Sequence, residues 1–206
     1  MMPLRIAVHG HRGKLGSLIS QETTNTVLPI ERDTAIPDCD VIIDVTSPEG
    51  LKTLLSRLSG QPLLIGTTGE LPIQQLQDYA LSAPVAIVPN FSVGVPVLFA
   101  LIDTALKMLP DGWDIEVVEV HHNQKKDAPS GTAKRLLRAI EEQGYHNIPT
   151  HALRVGDTFG EHTVWMCGPG ERIEIKHVAT RREVFAIGAH RWARWLLQQP
   201  TGLIQA

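Results

Sequence analysis

The chain has 206 residues, of which 43% are hydrophobic and 20% charged, so it can form one large or two small packed domains and is not typical of a disordered protein. Its formal net charge of −3 gives no global field for nucleic acid or an anionic membrane surface. No segment approaches the roughly 20 consecutive apolar residues that span a bilayer, and the two cysteines form no Cys-x-x-Cys pair, which excludes a zinc ribbon or a thioredoxin motif.

The first half of the chain alternates short apolar strands with helical segments. Strands are predicted at 5–9, 26–30, 41–45, 62–65 and 85–88, with helices starting at Ser17 and spanning 50–58 and 71–81. Apolar strands separated by helices indicate a parallel sheet that is covered on both faces. Because the first residues lack a signal-peptide pattern, we expect a cytoplasmic protein.

A glycine-rich turn, Gly10-His11-Arg12-Gly13-Lys14-Leu15-Gly16, directly follows the first strand. Glycines let the backbone approach a pyrophosphate, and the helix that follows directs free N–H groups at the anion. Glu31 lies about 20 positions further on, where an acidic residue binds the ribose of a dinucleotide. Arg32 beside it could face a 2′-phosphate. The alternative is an ordinary tight turn between a strand and a helix.

The second half has a different pattern. Helices are predicted at 95–109, 133–143 and 189–198, and strands at 115–120, 163–167 and 172–178. Ile173 and Ile175 alternate with Glu174 and Lys176, which is typical of a sheet with one face in water. These features predict an α+β arrangement.

The densest group of reactive side chains lies between the 115–120 strand and the 133–143 helix. Two histidines and two lysines occur within six residues of each other, so they can hold an anion and supply a proton near neutral pH. Ser130 is suited to cap the helix, whose first N–H groups, at Gly131 and Thr132, would bind a carboxylate. A solvated loop is the alternative. No metal is expected, because adjacent histidines on a strand point to opposite faces.

Residues 119–133 resemble a known family motif. They read Glu-Val-His-His-Asn-Gln-Lys-Lys-Asp-Ala-Pro-Ser-Gly-Thr-Ala and are similar to the E-x-H-H-x-x-K-x-D-A-P-S-G-T-A signature of the dihydrodipicolinate reductase (4-hydroxy-tetrahydrodipicolinate reductase) family. Segments 45–50, 65–69, 90–94, 160–163 and 188–195 resemble further family blocks in order. The resemblance implies reduction of a cyclic dicarboxylate by NADH or NADPH in the diaminopimelate route to lysine.

The resemblance also implies a domain organisation. Residues 1–92 and 189–206 would form a Rossmann-type dinucleotide-binding domain with a parallel sheet. Residues 93–188 would form an α+β domain for substrate binding and oligomerisation, commonly in a homotetramer. The chain is a shortened member, because a helix and a strand that are usual in the family are missing between Asp33 and Val41.

Site residues follow from the resemblance. His121 matches the general acid of the family, and Lys125 its second catalytic residue. Substrate contacts are implied for His122, Ser130, Gly131 and Thr132. Dinucleotide contacts are implied for Gly10, His11, Arg12, Gly13, Lys14, Leu15, Glu31, Arg32, Gly66, Thr67, Thr68, Val88, Pro89, Asn90 and Phe91. The preference between NADH and NADPH stays open, because Ser47 replaces an arginine that is common in the family, while Arg32 favours a 2′-phosphate.

Two other functions are compatible with the same elements. One is an oxidoreductase related to aspartate or homoserine dehydrogenases, and the other is a catalytically silent dinucleotide-binding module. The unbroken 121–133 segment argues against the first, and the presence of both His121 and Lys125 argues against the second.

Overall fold

The computed structural model describes residues 2–21 and 24–205. It divides the chain into two compact units, Met1–Phe91 with Glu183–Ala206, and Ser92–Arg182. The chain therefore leaves the first unit once and returns to it through its last helix.

A six-stranded parallel sheet forms the centre of the first unit. Its strands are β1 (Arg5–His9), β2 (Thr26–Ile30), β3 (Val41–Asp44), β4 (Leu63–Ile65), β5 (Pro84–Ile87) and β10 (Gly202–Gln205). They lie in the order β10-β5-β4-β3-β1-β2, and all neighbouring pairs are parallel. Pro29 is tolerated because β2 is an edge strand, where a missing N–H costs no ladder hydrogen bond.

Helices cover both faces of this sheet. They are α1 (Lys14–Gln21), α2 (Pro48–Leu55), α3 (Ile73–Ala80) and α6 (Glu183–Leu196). One core joins the sheet to Ile19 of α1 and Ala189 of α6, and a second core joins it to Leu51 of α2 and Leu76 of α3. Burial on both faces explains why the strands are continuously apolar. The predicted Rossmann-type parallel sheet is confirmed.

The end of the chain departs from the predicted elements. Helix α6 begins at Glu183 rather than at residue 189, and Gly188 lies inside it. A Cβ at position 188 would lie 1.9 Å from the carbonyl oxygen of Phe91, so this glycine marks a close approach between helix and backbone. Strand β10, which the sequence did not predict, adds an edge to the sheet beside β5.

The second unit is an α+β layer, as predicted. Its elements are α4 (Gly94–Met108), β6 (Asp114–His121), α5 (Gly131–Glu141), β7 (Thr150–Arg154), β8 (Glu161–Gly168) and β9 (Glu171–Val178). The strands lie in the order β7-β6-β8-β9, with β6 and β7 parallel and the other pairs antiparallel. Residues of α4 and α5 share a buried core with Val117 of β6 and Val164 of β8. The sequence missed β7.

None of the helices within residues 2–21 and 24–205 is long and apolar enough to cross a bilayer.

Candidate active site

Strand β6 carries polar side chains to one end of the sheet in the second unit. Alternation along the strand places Glu119 and His121 on the same buried face as its apolar residues. The register sets His162 of β8 opposite Glu119, and Arg154 of β7 opposite His121. Three strands therefore bring a carboxylate, two imidazoles and a guanidinium close together.

The Glu119 carboxylate is the centre of this cluster and is fully buried. Its Oε1 accepts hydrogen bonds from the backbone N–H of Ser130 at 3.1 Å and from Nη2 of Arg154 at 2.7 Å. Its Oε2 is in hydrogen-bond contact with Nδ1 of His121. Burial acts to raise the pKa of Glu119, but the contacts with Arg154 and His121 outweigh it and lower the pKa. The carboxylate is therefore ionised in the folded protein.

One ring nitrogen of His121 contacts Glu119, and the other lies next to Gly160. A Cβ at position 160 would lie 3.1 Å from its Nε2, so Gly160 leaves space beside this atom. Burial lowers the pKa of His121 from its ordinary value; Glu119 acts to raise it, and Lys125 and Arg154 act to lower it. The ring thus has a fixed side and a reactive side.

His162 is a neutral neighbour of His121. Its Nε2 lies 3.2 Å from the Ser130 hydroxyl, and its ring meets the His121 ring edge-on at 5.2 Å between centroids. Burial, followed by the nearby His121, lowers the pKa of His162 to about 3. His162 therefore shapes the site without carrying a proton near neutral pH.

Lys125 lies on the loop between β6 and α5. Its Nζ is 2.8 Å from Oδ1 of Asp127, and its side chain is 21% exposed. Burial acts to raise the pKa of Asp127, but Lys125 outweighs it and the pKa is lowered. Arg154 donates a hydrogen bond to the Asp127 carbonyl, and the Lys125 N–H donates to the carbonyl of His122. These contacts hold the loop near His121 and keep the ammonium accessible.

Helix α5 begins beside this cluster. Ser130 is its N-cap, and the Ser130 hydroxyl accepts a hydrogen bond from the Ala133 N–H at 3.2 Å. A Cβ at Gly131 would meet no atom within 4 Å, so there is free space at the first turn of the helix. Thr132 is partly buried in that turn, and His122 is partly buried just after β6. The helix start and the His121 ring are linked through Glu119.

The glycine-rich turn of the first unit has the backbone geometry of a dinucleotide cradle. Gly10 adopts φ +92°, and a Cβ there would lie 2.7 Å from the Val45 carbonyl oxygen. A Cβ at Gly16 would lie 2.1 Å from the Gly10 carbonyl oxygen, so α1 packs directly on the turn. The Gly13 N–H donates to the Gly10 carbonyl at 2.9 Å. Glycines at 10 and 16 thus allow the turn and α1 to pack closely, which fits the dinucleotide that the 10–15 turn was predicted to hold.

Asp44, at the end of β3, joins the loops around this turn and was not predicted as a site residue. Its fully buried carboxylate contacts Nδ1 of His9 at 2.7 Å and accepts hydrogen bonds from the hydroxyls of Thr46 at 2.8 Å and Thr67 at 2.5 Å. The Thr67 hydroxyl also accepts from the Thr46 N–H. Thr67 therefore orders the loops rather than presenting a free hydroxyl.

Glu31 directly follows β2, with a guanidinium and an imidazole beside it. Its Oε1 is 2.8 Å from Nη2 of Arg12 and 3.3 Å from Nε2 of His11. Arg32, the next residue, is exposed. Three residues predicted to contact the dinucleotide thus meet at the far end of the glycine turn.

Most of the remaining predicted dinucleotide residues follow β4 and β5, and two of them, Lys14 and Leu15, begin α1. Gly66 faces the Phe91 ring, whose carbon would lie 2.6 Å from a Cβ at position 66. Val88 is buried, and its N–H donates to the Ile65 carbonyl at 2.8 Å. Leu15 packs on the core beneath the turn. Four other predicted residues are exposed or partly exposed: Lys14, Thr68, Pro89 and Asn90.

Models of one protein family match both parts of the chain. Residues 28–91 match the model described as "Dihydrodipicolinate reductase, N-terminus", and residues 94–206 match "Dihydrodipicolinate reductase, C-terminus". The chain belongs to the dihydrodipicolinate reductase family.

Curated members of the family are similar over most of their length. The 4-hydroxy-tetrahydrodipicolinate reductase of Anaeromyxobacter dehalogenans is 39% identical over 212 residues, covering 91% of this chain and 78% of the relative. That of Thermosipho africanus is 39% identical over 211 residues, covering 97% and 94%. The second relative has a length comparable to this chain, so the shortened first unit is compatible with the reductase name. The predicted oxidoreductase function is confirmed.

Solved structures agree at the level of the fold. A dihydrodipicolinate reductase from Paenisporosarcina sp. TG-14 superposes with a TM-score of 0.76 at 23% identity, covering 100% of this chain and 98% of the other. An aspartate dehydrogenase from Thermotoga maritima gives a TM-score of only 0.52 at 13% identity. The alternative of an aspartate dehydrogenase-like enzyme thus shares the fold and lacks support from sequence.

Three residues of the candidate site were not predicted from sequence as site residues: Glu119, Arg154 and His162. Glu119 stood in the matched signature, and the alternation of β6 could have paired it with His121. His162 lies in the 160–163 block, but nothing local indicated its partner. Arg154 lies on the strand that the sequence did not reveal, so no signal pointed to it.

Glu119, His121 and His162 are side chains of metal-binding type. Their ligand atoms all lie within 4.8 Å of one another. Arg154 already balances the Glu119 charge, however, and the Ser130 hydroxyl lies within hydrogen-bond distance of His162. A divalent cation would have to displace these partners next to a guanidinium, so we assign no metal to this cluster.

Replacing His162 with glutamine is expected to reduce the loss of stability in acid. The pKa of His162 is about 3 when folded, against an ordinary value of 6.5, so the unfolded chain takes up its proton first as the pH falls. This contribution to stability is complete above about pH 6.5 and is lost towards about pH 3. Urea unfolding at pH 7 and pH 4.5 should show wild type losing on the order of 2 kcal/mol more than His162→Gln. Equal losses would contradict a neutral, buried His162.

Proposed function

We propose that His121 and Lys125 are the catalytic residues for reduction of 4-hydroxy-tetrahydrodipicolinate, a cyclic dicarboxylate, to tetrahydrodipicolinate in the diaminopimelate route to lysine. The observation that carries this proposal is the buried Glu119–His121 pair, in which Glu119 binds Nδ1 of His121 and Nε2 lies next to Gly160, a residue without a side chain. A proton donor of this kind is what the reaction requires once a hydride has been added to the substrate.

His121 acts as the general acid in this proposal. The 4-hydroxyl group of the substrate leaves as water, which gives a conjugated ring. Negative charge builds up on this ring as the hydride is added, and Nε2 of His121 gives a proton to the carbon that gains the charge, so that hydride, proton and water account for the product. Glu119 offsets the positive charge of the imidazolium before transfer. Because burial lowers the pKa of His121, the imidazolium is a stronger acid than a histidine in water.

Lys125 and the start of α5 hold the substrate carboxylates. The ammonium of Lys125 lies on the same loop as His121, and Gly131 and Thr132 form the first turn of an 11-residue helix, whose N-terminal dipole favours a carboxylate. His122 contributes a further donor in this arrangement. The related structure from Paenisporosarcina is described as dipicolinate bound, which supports a planar dicarboxylate as the class of ligand.

The first unit holds the nicotinamide dinucleotide that the family uses. When bound, this cofactor supplies the hydride. The backbone of the glycine turn and the start of α1 would hold the pyrophosphate, and the loops after β4 and β5 would line the remainder of the site. Glu31 would accept hydrogen bonds from the adenosine ribose, while Arg12 and Arg32 would offer positive charge to a 2′-phosphate, with His11 beside Glu31. We therefore propose that both NADH and NADPH are accepted.

Variants at Glu31 and Arg12 should shift the cofactor preference in opposite directions. Glu31→Ala removes a charge that repels the 2′-phosphate and an acceptor for the ribose hydroxyls, so the ratio of kcat/KM for NADPH over NADH should rise roughly tenfold. Arg12→Ala removes a cation that is 2.8 Å from Glu31, so the ratio should fall. Steady-state rates with both cofactors measure this. If the ratio of kcat/KM for NADPH over NADH were unchanged in both variants, the adenosine ribose would not bind beside Glu31 and Arg12.

The reaction itself is tested by following the loss of nicotinamide absorbance with freshly prepared substrate. We expect turnover with this substrate and none with aspartate, its aldehyde or homoserine. Turnover of one of those compounds instead would favour a dehydrogenase. Binding of NADH without any turnover would favour the silent module.

The proposal extends to assembly and location. We propose a homotetramer in the cytoplasm, in which subunits meet through the sheet of the second unit. Leu153 and Val178 lie on the sheet face opposite His121, and both are exposed apolar side chains. Light scattering of the purified protein measures the assembly, and a monomeric mass would contradict it.

A further inference from the structure

We propose that Glu119 is a positioning residue. It determines which ring nitrogen of His121 carries the hydrogen and how the ring is oriented, and it connects His121 to the start of α5, which is proposed to bind the substrate carboxylate. The inference rests on the proposed role of His121 as the general acid. It adds a residue for which the sequence motif gave no role, together with Arg154 as the residue that fixes the orientation of Glu119.

The two carboxylate oxygens of Glu119 have different hydrogen-bond partners. Oε1 receives both hydrogen bonds from fixed donors, the backbone N–H of Ser130 and the guanidinium of Arg154. Oε2 is left for Nδ1 of His121. Since an ionised carboxylate only accepts hydrogen bonds, Nδ1 must carry the hydrogen. In the neutral ring the lone pair is therefore on Nε2, and in the charged ring Nε2 carries the transferable proton.

The same carboxylate couples two parts of the site. Ser130 is the N-cap of α5, so the N–H that binds Glu119 belongs to the residue just before the Gly131–Thr132 turn. His121 and the first turn of α5 are thus held against a single buried side chain. The spacing between the His121 ring and the start of α5 is therefore set by two hydrogen bonds to one rigid carboxylate group.

Charges around His121 make this carboxylate necessary. The charged groups that act on the ring are Glu119 on β6, Arg154 on β7 and Lys125 on the loop, and His162 on β8 meets it edge-on. His177 on β9 lies opposite His162, and Asp127 is paired with Lys125. Burial, Lys125 and Arg154 all disfavour the imidazolium, and Glu119 favours it. Without the negative charge of Glu119, the already lowered pKa of His121 would fall further, and a still smaller fraction of the ring would carry the acidic proton near neutral pH.

Glu119→Gln is the decisive variant because its outcome is set by the neighbours. Ser130 N–H and Arg154 still need an acceptor, so the amide oxygen stays on their side and the NH₂ group turns towards Nδ1 of His121. Nδ1 then has to accept, which moves the hydrogen of the neutral ring to Nε2 and opposes the imidazolium. An isosteric substitution is thus expected to reverse the tautomer of a residue two positions away.

The experiment uses the full-length protein with ¹⁵N-labelled histidine. In wild type we expect the neutral His121 ring to be protonated on Nδ1, and in Glu119→Gln on Nε2, with the titration midpoint of His121 lowered by about one unit or more. The alkaline limb of the kcat/KM profile should move in the same direction, and kcat/KM near neutral pH should fall on the order of 10²-fold. Glu116→Gln, on the opposite face of β6, is the matched control and should leave all of these values unchanged.

Several results would overturn the inference. The inference would be overturned in wild type alone if the neutral His121 ring carried its hydrogen on Nε2. This measurement needs no variant, so the inference can be tested even if Glu119→Gln does not fold. An unchanged tautomer and midpoint in a folded Glu119→Gln would overturn it as well. If instead the tautomer behaves as expected while His121→Ala keeps full activity, the positioning geometry stands and the proposed role of His121 as the acid fails.

Discussion

Replacing His121 with alanine is expected to lower kcat by roughly 10²–10⁴-fold, which is the usual contribution of a positioned general acid. The variant removes the only proton donor that the proposed mechanism places at the substrate carbon. It leaves the first unit unchanged, so the dissociation constant for NADH should stay at the wild-type value. Steady-state kinetics with fresh substrate and NADH titration in its absence measure the two effects.

The control for this variant is His151→Ala. His151 is exposed and paired with Glu116 on the other face of the sheet, 3.1 Å away, so its removal tests the effect of losing a histidine outside the site. We expect wild-type kcat there. Wild-type kcat in His121→Ala would remove the general-acid assignment, and loss of folding in urea titrations would direct the test to His121→Gln.

Replacing Lys125 with alanine is expected to raise KM and lower kcat together. The ammonium is proposed to bind a substrate carboxylate in the ground state and to offset ring charge as it develops, so both constants depend on it. Losing a charge-assisted hydrogen bond costs about 2–3 kcal/mol, which corresponds to a fall in kcat/KM on the order of 10²-fold. Initial rates over a range of substrate concentrations separate the two constants.

Lys107→Ala is the matched control for this prediction, because Lys107 is exposed on α4 and forms an ion pair with Asp103 within the same helix. It should have wild-type kinetics. Lys125→Arg keeps the charge and should recover part of the KM effect, since a longer planar donor fits the same carboxylate imperfectly. If KM and kcat of Lys125→Ala were both wild-type, the carboxylate clamp would have to lie elsewhere.

Much of the fold could be predicted because its patterns are local. The continuously apolar strands 5–9 and 41–45 indicated a sheet buried on both faces, and α1 and α2 on opposite faces meet that expectation. The predicted elements were wrong or missing where a residue type is explained by a contact with a distant segment or by a position at the edge of a sheet. The last helix was predicted to begin after Gly188, whereas Gly188 lies inside α6 and allows it to approach Phe91. Strand β7 has no clear alternation, because it is an edge strand with exposed side chains.

Contacts between distant segments account for the unpredicted residues in both candidate sites. Asp44 lies within the predicted 41–45 strand, and only the parallel sheet places it beside His9 and Thr67. Arg154 and Glu119 are 35 positions apart, yet the pairing of β6 with β7 brings them to 2.7 Å. A motif within one segment cannot reveal such partners.

The amino-acid sequence by itself determined the family, the class of reaction and the two residues proposed for catalysis, because the 119–133 segment keeps those groups together along the chain. The sequence also determined the glycine turn, because the glycines that permit its backbone conformation lie within one short segment. Only the tertiary structure decided which nitrogen of His121 is available, since this depends on Arg154 and Ser130 fixing one oxygen of Glu119. The order of residues along the chain determines which side chains are present in a segment. The register between strands determines which of these side chains form hydrogen bonds with one another.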